Sequence, residues 1–245
     1  MSEARIIGVI PARMASTRFP GKPLAMIAGK PMLRWTWEKV VECEWIDDVV
    51  ISSPDPEILA AATRFGARAV PSSPSCPSGT DRVAEVAAST LGEIYLNIQG
   101  DEPLIRSGDI DACIGPMLED PRPDSASLCC RATKAEADDP NVVKVVTDAW
   151  GFALYFSRSC IPHPRRPHAR PLRHLGVYAF TRETVLRFTK LQRGPLEVTE
   201  ELEQLRLLEH GFTMAMTKVR RPAGPAVDTP EQLLQVERIL TRRRS

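Results

Sequence analysis

The strongest constraint on the fold lies near the start of the chain. Arg5 to Pro11 reads R-I-I-G-V-I-P, a continuous apolar run too short for a helix. A run like this lacks the alternation of a half-exposed strand, so it belongs at the centre of a parallel sheet with both faces covered. Covering two faces takes helices, and the sequence supplies them in turn. Pro31 can sit in the first turn of a helix reaching about Cys43, Asp48 to Ser52 is a second apolar strand, and Pro56 opens a helix that Gly66 ends. Ala67 to Val70 reads as a third strand, Thr80 to Leu91 as a helix and Ile94 to Gln99 as a fourth strand. Strand and helix alternating with short links predicts a mostly parallel, doubly wound α/β sheet with right-handed crossovers.

The pattern changes from about Asp124. Ser125 to Arg131, Val142 to Thr147 and Phe152 to Ser157 read as strands, the last two joined as a hairpin around Asp148-Ala149-Trp150-Gly151. Arg173 to Phe180 is a further strand, Glu197 to His210 a helix closed by Gly211, and Pro230 to about Arg242 a terminal helix capped by Asp228 or Thr229. This predicts one mixed α/β domain over residues 1–245, with a small antiparallel extension around 124–193.

Charge and composition narrow the function classes. With 245 residues, 32 Lys+Arg and 31 Asp+Glu, the net charge is +1, far from the basic footprint of a duplex-binding protein, so no nucleic-acid partner is expected. No run approaches the ~20 apolar residues that cross a bilayer, and Met1 to Arg5 leads into a strand rather than a signal segment, so a cytoplasmic protein with no membrane partner is expected. Six cysteines without a C-x-x-C pair predict reduced packing thiols. The four histidines form no H-E-x-x-H, and His163, His168 and His174 lie in a Pro-broken stretch that cannot align them on a helix.

In open α/β sheets ligands bind beyond the carboxyl ends of the strands, so the loops after Ile10, Val70 and Ile98 carry the chemistry. The first is P-A-R-M-A-S-T-R-F-P-G-K-P, with Arg13, Arg18 and Lys22 among Ser16, Thr17 and Gly21. Cations beside small residues at a strand edge can make a cradle for a polyphosphate, with an exposed basic loop as the competing reading. It is no Walker A loop, since Pro23 follows Gly21-Lys22, and no G-x-G-x-x-G is present. The second loop is Ser- and Pro-rich and ends at Asp81 and Arg82. The third, N-I-Q-G-D-E-P, sets Gln99, Gly100, Asp101 and Glu102 at a strand end, where a carboxylate can hold Mg²⁺ against a triphosphate.

The strings PARMASTRFPGKP, SGTDR, NIQGDEP, DPNVVKVV, ALYFSR, RHLGVYAF, PLEVTEELEQLR and VDTPEQL occur in this order from Ile6 to beyond Val227. Together they resemble the 3-deoxy-manno-octulosonate (Kdo) cytidylyltransferase family. The resemblance implies a glycosyltransferase-A-like α/β fold, a homodimer, and transfer of CMP from CTP to a sugar acid with release of pyrophosphate, a step of lipopolysaccharide biosynthesis. It implies Arg13, Ser16, Arg18 and Lys22 at the CTP phosphates, and Ser78, Gly79 and Thr80 at the cytosine. Gln99 would serve both CTP and acceptor, and Asp101 and Asp228 would bind Mg²⁺. Arg158, His174, Tyr178, Glu203 and Gln204 would face the acceptor, with Arg13, Lys22, Asp101 and Asp228 as the catalytic set. Charge builds on phosphoryl oxygens during such a transfer, so cations and positioning carry it and no covalent Ser or Cys nucleophile is required. For Glu203 and Gln204 a packing reading competes, with Leu202, Leu205 and Leu208 as the buried stripe.

One segment sets this chain apart. Arg158 to His174 holds five Arg, three His, four Pro and no acidic residue. If Arg165, Arg166 and Arg170 face the acceptor, their forks would suit a smaller or more charged anion, so amino-Kdo or a phosphonate such as phosphonoformate stands as the alternative acceptor; a solvated basic turn is the other reading. A sugar-1-phosphate uridylyl- or thymidylyltransferase is disfavoured by the missing G-x-G-T-R loop, and a nucleotide-sensing module by the retention of both Asp101 and Asp228.

Overall fold

The computed structural model describes residues 5–165, 171–222 and 224–242. Arg166 and Arg170, with His168, lie outside them. The chain groups into two compact units, residues 1–111 with 222–245, and residues 112–221.

In the first unit, β1 (Ile6–Pro11) is buried at all six positions, as its unbroken apolar run requires. A short 3₁₀ turn (Lys22–Leu24) and the two-residue strands β2 (Met26–Ile27) and β3 (Lys30–Pro31) lead into α1 (Met32–Val41). There follow β4 (Asp48–Ser53), α2 (Pro56–Arg64), β5 (Arg68–Pro71), α3 (Gly79–Ser89), β6 (Ile94–Ile98) and α4 (Ser107–Glu119), inside which the unit boundary falls. Four of these strands pair in the order β6-β1-β4-β5, all parallel. Strand Gly8 lets α1 close on β1, because a Cβ there would come within 3.0 Å of Val40. The chain runs from β1 to β4 and β5 on one side, then returns to place β6 on the other. The order therefore reverses between β1 and β6, which is where such sheets open a ligand crevice.

The second unit contains β7 (Ser125–Arg131), α5 (Lys134–Asp138), β8 (Lys144–Thr147), β9 (Ala153–Ser157), β10 (Leu172–Thr181), α6 (Arg182–Phe188), α7 (Pro195–Glu200), α8 (Leu205–Glu209) and β11 (Met214–Lys218). Strand β7 pairs antiparallel with β10 and parallel with β11, while β8 pairs antiparallel with β10 and β9. The expected hairpin forms around Gly151 (φ 90°), with the Asp148 carboxylate accepting from the Trp150 and Phe152 amides at 2.9 and 2.8 Å. A bulge interrupts β10 between Leu175 and Tyr178. The chain then returns to the first unit with α9 (Pro230–Arg242).

One sequence expectation is corrected here. Residues 197–210 do not form a single helix: α7 ends at Glu201 in the left-handed region (φ 51°, ψ 48°) and α8 starts anew at Leu205. The break is fixed by side chains. Glu209 accepts from the Leu196 and Glu197 amides at 2.8 and 3.0 Å, capping the start of α7, and the buried Glu197 carboxylate is clamped by Arg206. The new register buries Leu207 where Leu208 was expected, alongside Leu202 and Leu205, and it buries Gln204 as well. Strand β11 and helices α5 and α6 were not anticipated.

Candidate active site

A cavity of about 790 Å³ opens in the first unit at the carboxyl ends of β1 and β6. Arg13, Ser16, Arg18 and Lys22 line it from the loop after β1, Ser78, Gly79 and Arg82 from the start of α3, and Gln99 and Asp101 from the loop after β6; Asp228 joins them from the segment before α9. The β1 loop is held in shape by its backbone. The Met14 amide donates to Asp55 Oδ2 at 2.7 Å and the Gly21 amide to Met14 O at 2.9 Å, with Gly21 in the left-handed region (φ 74°). Gly79 lets α3 approach the strand ends, since a Cβ there would lie 3.2 Å from Pro11 and 3.3 Å from the Gln99 amide nitrogen.

Lys22 is the centre of the charge arrangement. Its Nζ donates to Asp101 Oδ2 at 2.5 Å, to Asp228 Oδ1 at 2.9 Å and to Val227 O at 3.3 Å. Arg18, itself mostly exposed, pairs with the other Asp228 oxygen at 3.1 Å. Burial pulls the Lys22 ammonium down, but Asp101 and then Asp228 outweigh that and raise its pKa above the ordinary lysine value. Two carboxylates and a cation thus converge at the floor of a cavity rimmed by further cations. Asp228 arrives from far along the chain because the Val227 amide donates to Asp101 O at 2.8 Å. An apolar cluster of Ile27, Met32, Trp35, Leu104, Val227, Val236 and Leu240 seats α9 on the unit.

The α3 end of the cavity differs in detail from the sequence expectation. Ser78 forms a capping box with Asp81, its hydroxyl donating to Asp81 Oδ2 at 2.7 Å and accepting from the Asp81 amide at 3.3 Å. Thr80 lies beneath the lining, 3% exposed, its hydroxyl accepting from Asn97 Nδ2 at 3.2 Å. Asn97 in turn accepts from Gln99 Nε2 at 3.1 Å. Arg82, read from the sequence only as a helix starter, is equally buried and donates to the carbonyls of Ser78 at 3.0 Å and Cys76 at 3.5 Å, so it braces the turn that carries Ser78 and Gly79.

The second unit has its own cavity of about 270 Å³, to which His174, Tyr178 and Gln204 contribute together with Asn141 and Arg173. Tyr178 Oη donates to Gln204 Oε1 at 3.4 Å. His174 is packed between Phe156 and Tyr178, with ring centroids 4.9 and 5.4 Å away. Burial, and then the neighbouring Arg173 cation, push its pKa down to about 3. Glu203 is half-buried beside Gln204 and outside the lining.

Arg158 is also outside the lining. Its guanidinium donates to the carbonyls of Glu200 at 2.7 Å, Pro140 at 3.2 Å and Glu201 at 3.4 Å, so in this structure it ties backbone segments together. Lys144 does the same from a fully buried position, donating to Asp139 O at 2.8 Å, Val142 O at 2.6 Å and Arg158 O at 2.5 Å. The Asn141–Val143 stretch, held by the two cations through Val142 O and the preceding Pro140 O, lines the cavity. Of the three arginines singled out in the basic segment, Arg165 is exposed.

Comparison with known proteins agrees with this architecture. A family profile described as cytidylyltransferase matches residues 7–218. A 3-deoxy-manno-octulosonate cytidylyltransferase of Myxococcus xanthus is 44% identical, covering 99% of each chain, and that of Escherichia coli is 41% identical, covering 98% of this chain and 97% of its own. A solved structure of CMP:2-keto-3-deoxy-manno-octonic acid synthetase complexed with CTP superposes with a TM-score of 0.96 at 39% identity, over 98% of this chain and all of that one. A 4-diphosphocytidyl-2C-methyl-D-erythritol synthase from Anaerococcus prevotii, 13% identical over 98% of this chain and all of its own, has a TM-score of 0.68 and shares the fold. The fold is the expected glycosyltransferase-A-like α/β arrangement.

Proposed function

Because the chain belongs to the 3-deoxy-manno-octulosonate cytidylyltransferase family, we propose that it transfers CMP from CTP to Kdo, giving CMP-Kdo and pyrophosphate. The observation that carries the reading is the convergence of Lys22, Asp101 and Asp228 under the cationic β1 loop, in the crevice where a sheet of this topology takes its nucleotide. The phosphonate acceptor raised by the basic segment is not favoured, since the full-length relatives are named for Kdo.

In this reading the first cavity takes CTP. Arg13, Arg18 and Lys22 hold the triphosphate through charge-assisted hydrogen bonds, and the turn braced by Arg82 receives the base. The second cavity takes the sugar acid, with Tyr178 and Gln204 oriented against each other and Arg173 as its cation. A hydroxyl oxygen of the acceptor attacks the α-phosphorus, a new P–O bond forms as the bond to the pyrophosphate oxygen breaks, and the hydroxyl proton passes to solvent. The protein's part is to align the two substrates and to meet the charge that develops on the phosphoryl oxygens.

The donor set fits a magnesium ion. Asp101 and Asp228 offer hard carboxylate oxygens that already converge on one cation, and both are partly open to the cavity. Among the described residues no three His, Cys, Asp or Glu side chains cluster as metal ligands, so these two would share the ion with substrate oxygens and water. When bound, Mg²⁺ would neutralise triphosphate charge and polarise the reacting phosphoryl group. A homodimer working in the cytoplasm accompanies this proposal.

The test is pyrophosphate release from CTP with Kdo, with and without Mg²⁺. Turnover should require both Kdo and the metal, and Asp101→Asn and Asp228→Asn should each lower kcat by at least about a hundredfold, the usual scale for losing a preorganised charge contact to the transition state. Near-native kcat in both variants at saturating Mg²⁺ would overturn the metal assignment. Inertness toward Kdo would overturn the acceptor.

A further inference from the structure

The hydrogen-bond directions around Ser127 determine something about His174 that neither the motif nor the ring's position does. Ser127 sits on β7 with its side chain fully buried, facing the β10 bulge. The bulge turns two carbonyls toward it: Ser127 Oγ lies 2.8 Å from Val177 O and 3.2 Å from Leu175 O. A carbonyl can only accept, so the single hydroxyl proton of Ser127 is committed to this pair. His174 Nε2 lies 2.8 Å from the same oxygen. With its proton spent, Ser127 Oγ can only accept there, and Nε2 must carry a hydrogen. In a neutral imidazole Nδ1 is then a bare lone pair.

We infer that Ser127 is a positioning residue which locks His174 in the Nε2–H tautomer, so that the ring meets the acceptor as a hydrogen-bond acceptor and selects a sugar hydroxyl at that point. The selection rests on the proposed reading of the second cavity as the acceptor site, which His174 lines. The groups packed around the ring agree with a neutral imidazole. They are the rings of Phe156 and Tyr178 and the Arg173 cation, and burial with that cation keeps the ring's proton affinity low. A protonated His174 would have attracted any anion. A neutral ring with a lone pair discriminates by hydrogen-bond direction, accepting from a hydroxyl and repelling a carboxylate or phosphonate oxygen placed opposite it. Ser127 touches no substrate in this account; it acts through His174.

The experiment reads the tautomer directly. The full-length enzyme, labelled with ¹⁵N-histidine, is examined by long-range ¹H–¹⁵N NMR between pH 8 and 5, with the His174 signals assigned by their loss in His174→Gln. The expected result is a proton on Nε2, none on Nδ1, no titration over this range, and a change at Nδ1 when Kdo is added. A proton on Nδ1, or an imidazolium at pH 7, overturns the lock whatever Kdo does. An Nε2–H ring that ignores saturating Kdo in the presence of CTP overturns the selection step and, with it, the placing of the acceptor in this cavity.

Kinetics supply the second readout. Ser127→Ala should raise the KM for Kdo roughly tenfold, the scale of one net hydrogen bond, and leave the KM for CTP unchanged. Kdo analogues with one hydroxyl replaced by fluorine, which cannot donate, locate the contact. One of them should bind less well to the parent enzyme and lose most of that difference in Ser127→Ala. Equal effects on the CTP and Kdo constants, or no fluoro analogue distinguished by the parent, would overturn the proposed role.

Discussion

Lowering the pH should destabilise the fold through His174 before the carboxylates titrate, and the size of the effect follows from the burial of that one ring. In the unfolded chain a histidine takes up its proton near pH 6.5, whereas in the folded protein His174 stays neutral down to about 3. The folded pKa is depressed, so as pH falls below 6.5 the unfolded state binds a proton that the folded state refuses, and stability falls. The slope for one such proton is about 1.4 kcal/mol per pH unit, so the loss between pH 8 and pH 4.5 sums to about 2.7 kcal/mol. Below pH 4.5 a second group enters. Burial opposes ionisation of Glu136, but its bonds from Arg221, Thr133 and Arg173 win and hold its pKa at about 2, so the stability it contributes is present above 4.5 and is lost as pH falls from there through 2. Across the window from 8 to 4.5, the difference between the parent and a His174→Gln variant therefore isolates the histidine from the carboxylates. Urea denaturation followed by far-UV circular dichroism, for the parent and for His174→Gln, should show the two stability curves converging by about 2.7 kcal/mol across that window. Parallel curves would refute the buried, neutral ring.

Lys144→Met should cost about 1–3 kcal/mol, because it removes the donor shared by the part-buried carbonyls of Asp139, Val142 and Arg158; no measurable loss in urea unfolding would mean those carbonyls find other partners. Arg82→Lys retains the charge but not the fork that spans Cys76 O and Ser78 O, so the KM for CTP should rise about tenfold while that for Kdo stays put; an equal rise in both constants would show that the brace does not act on the nucleotide side.

The parallel half of the fold was legible because its signals are local. An unbroken apolar run such as Ile6–Ile10 has few alternatives to a buried strand, and Pro56 and Gly66 punctuate the neighbouring helix plainly. The helix expected over 197–210 failed for a reason that local pattern does not carry. Its interruption depends on Glu209 reaching back to cap α7 and on Arg206 closing on Glu197, both contacts made only when α7 and α8 fold against each other. Strand β11 escaped because Met214–Lys218 is buried only at its start and takes its register from β7, distant in sequence. The site divides in the same way. The cationic β1 loop and Asp101 could be read as strand-end chemistry, and the motif strings added Asp228, His174, Tyr178 and Gln204. Motif position assigns Arg158 to the acceptor, and three of its five N–H groups go to backbone carbonyls. Ser127 and Asn97 carried no signal at all, since a buried Ser or Asn on a strand acquires meaning only from what stands opposite it.

That dependence on tertiary context bears on how the charged floor of the first cavity is built. Asp101 and Asp228 reach one cation from distant parts of the chain that share no local pattern, and two carboxylates brought together repel. Lys22 offsets that repulsion by donating to both, and the same two carboxylates outweigh the cost of its own partial burial and raise its pKa. The apolar seating of α9 through Val227, Val236 and Leu240 supplies the free energy that holds Asp228 in this arrangement, and the Val227 amide on Asp101 O sets its register. Packing under α9 is thereby part of the site: a substitution that loosens Val236 or Leu240 acts on the Lys22 carboxylate pair without touching it.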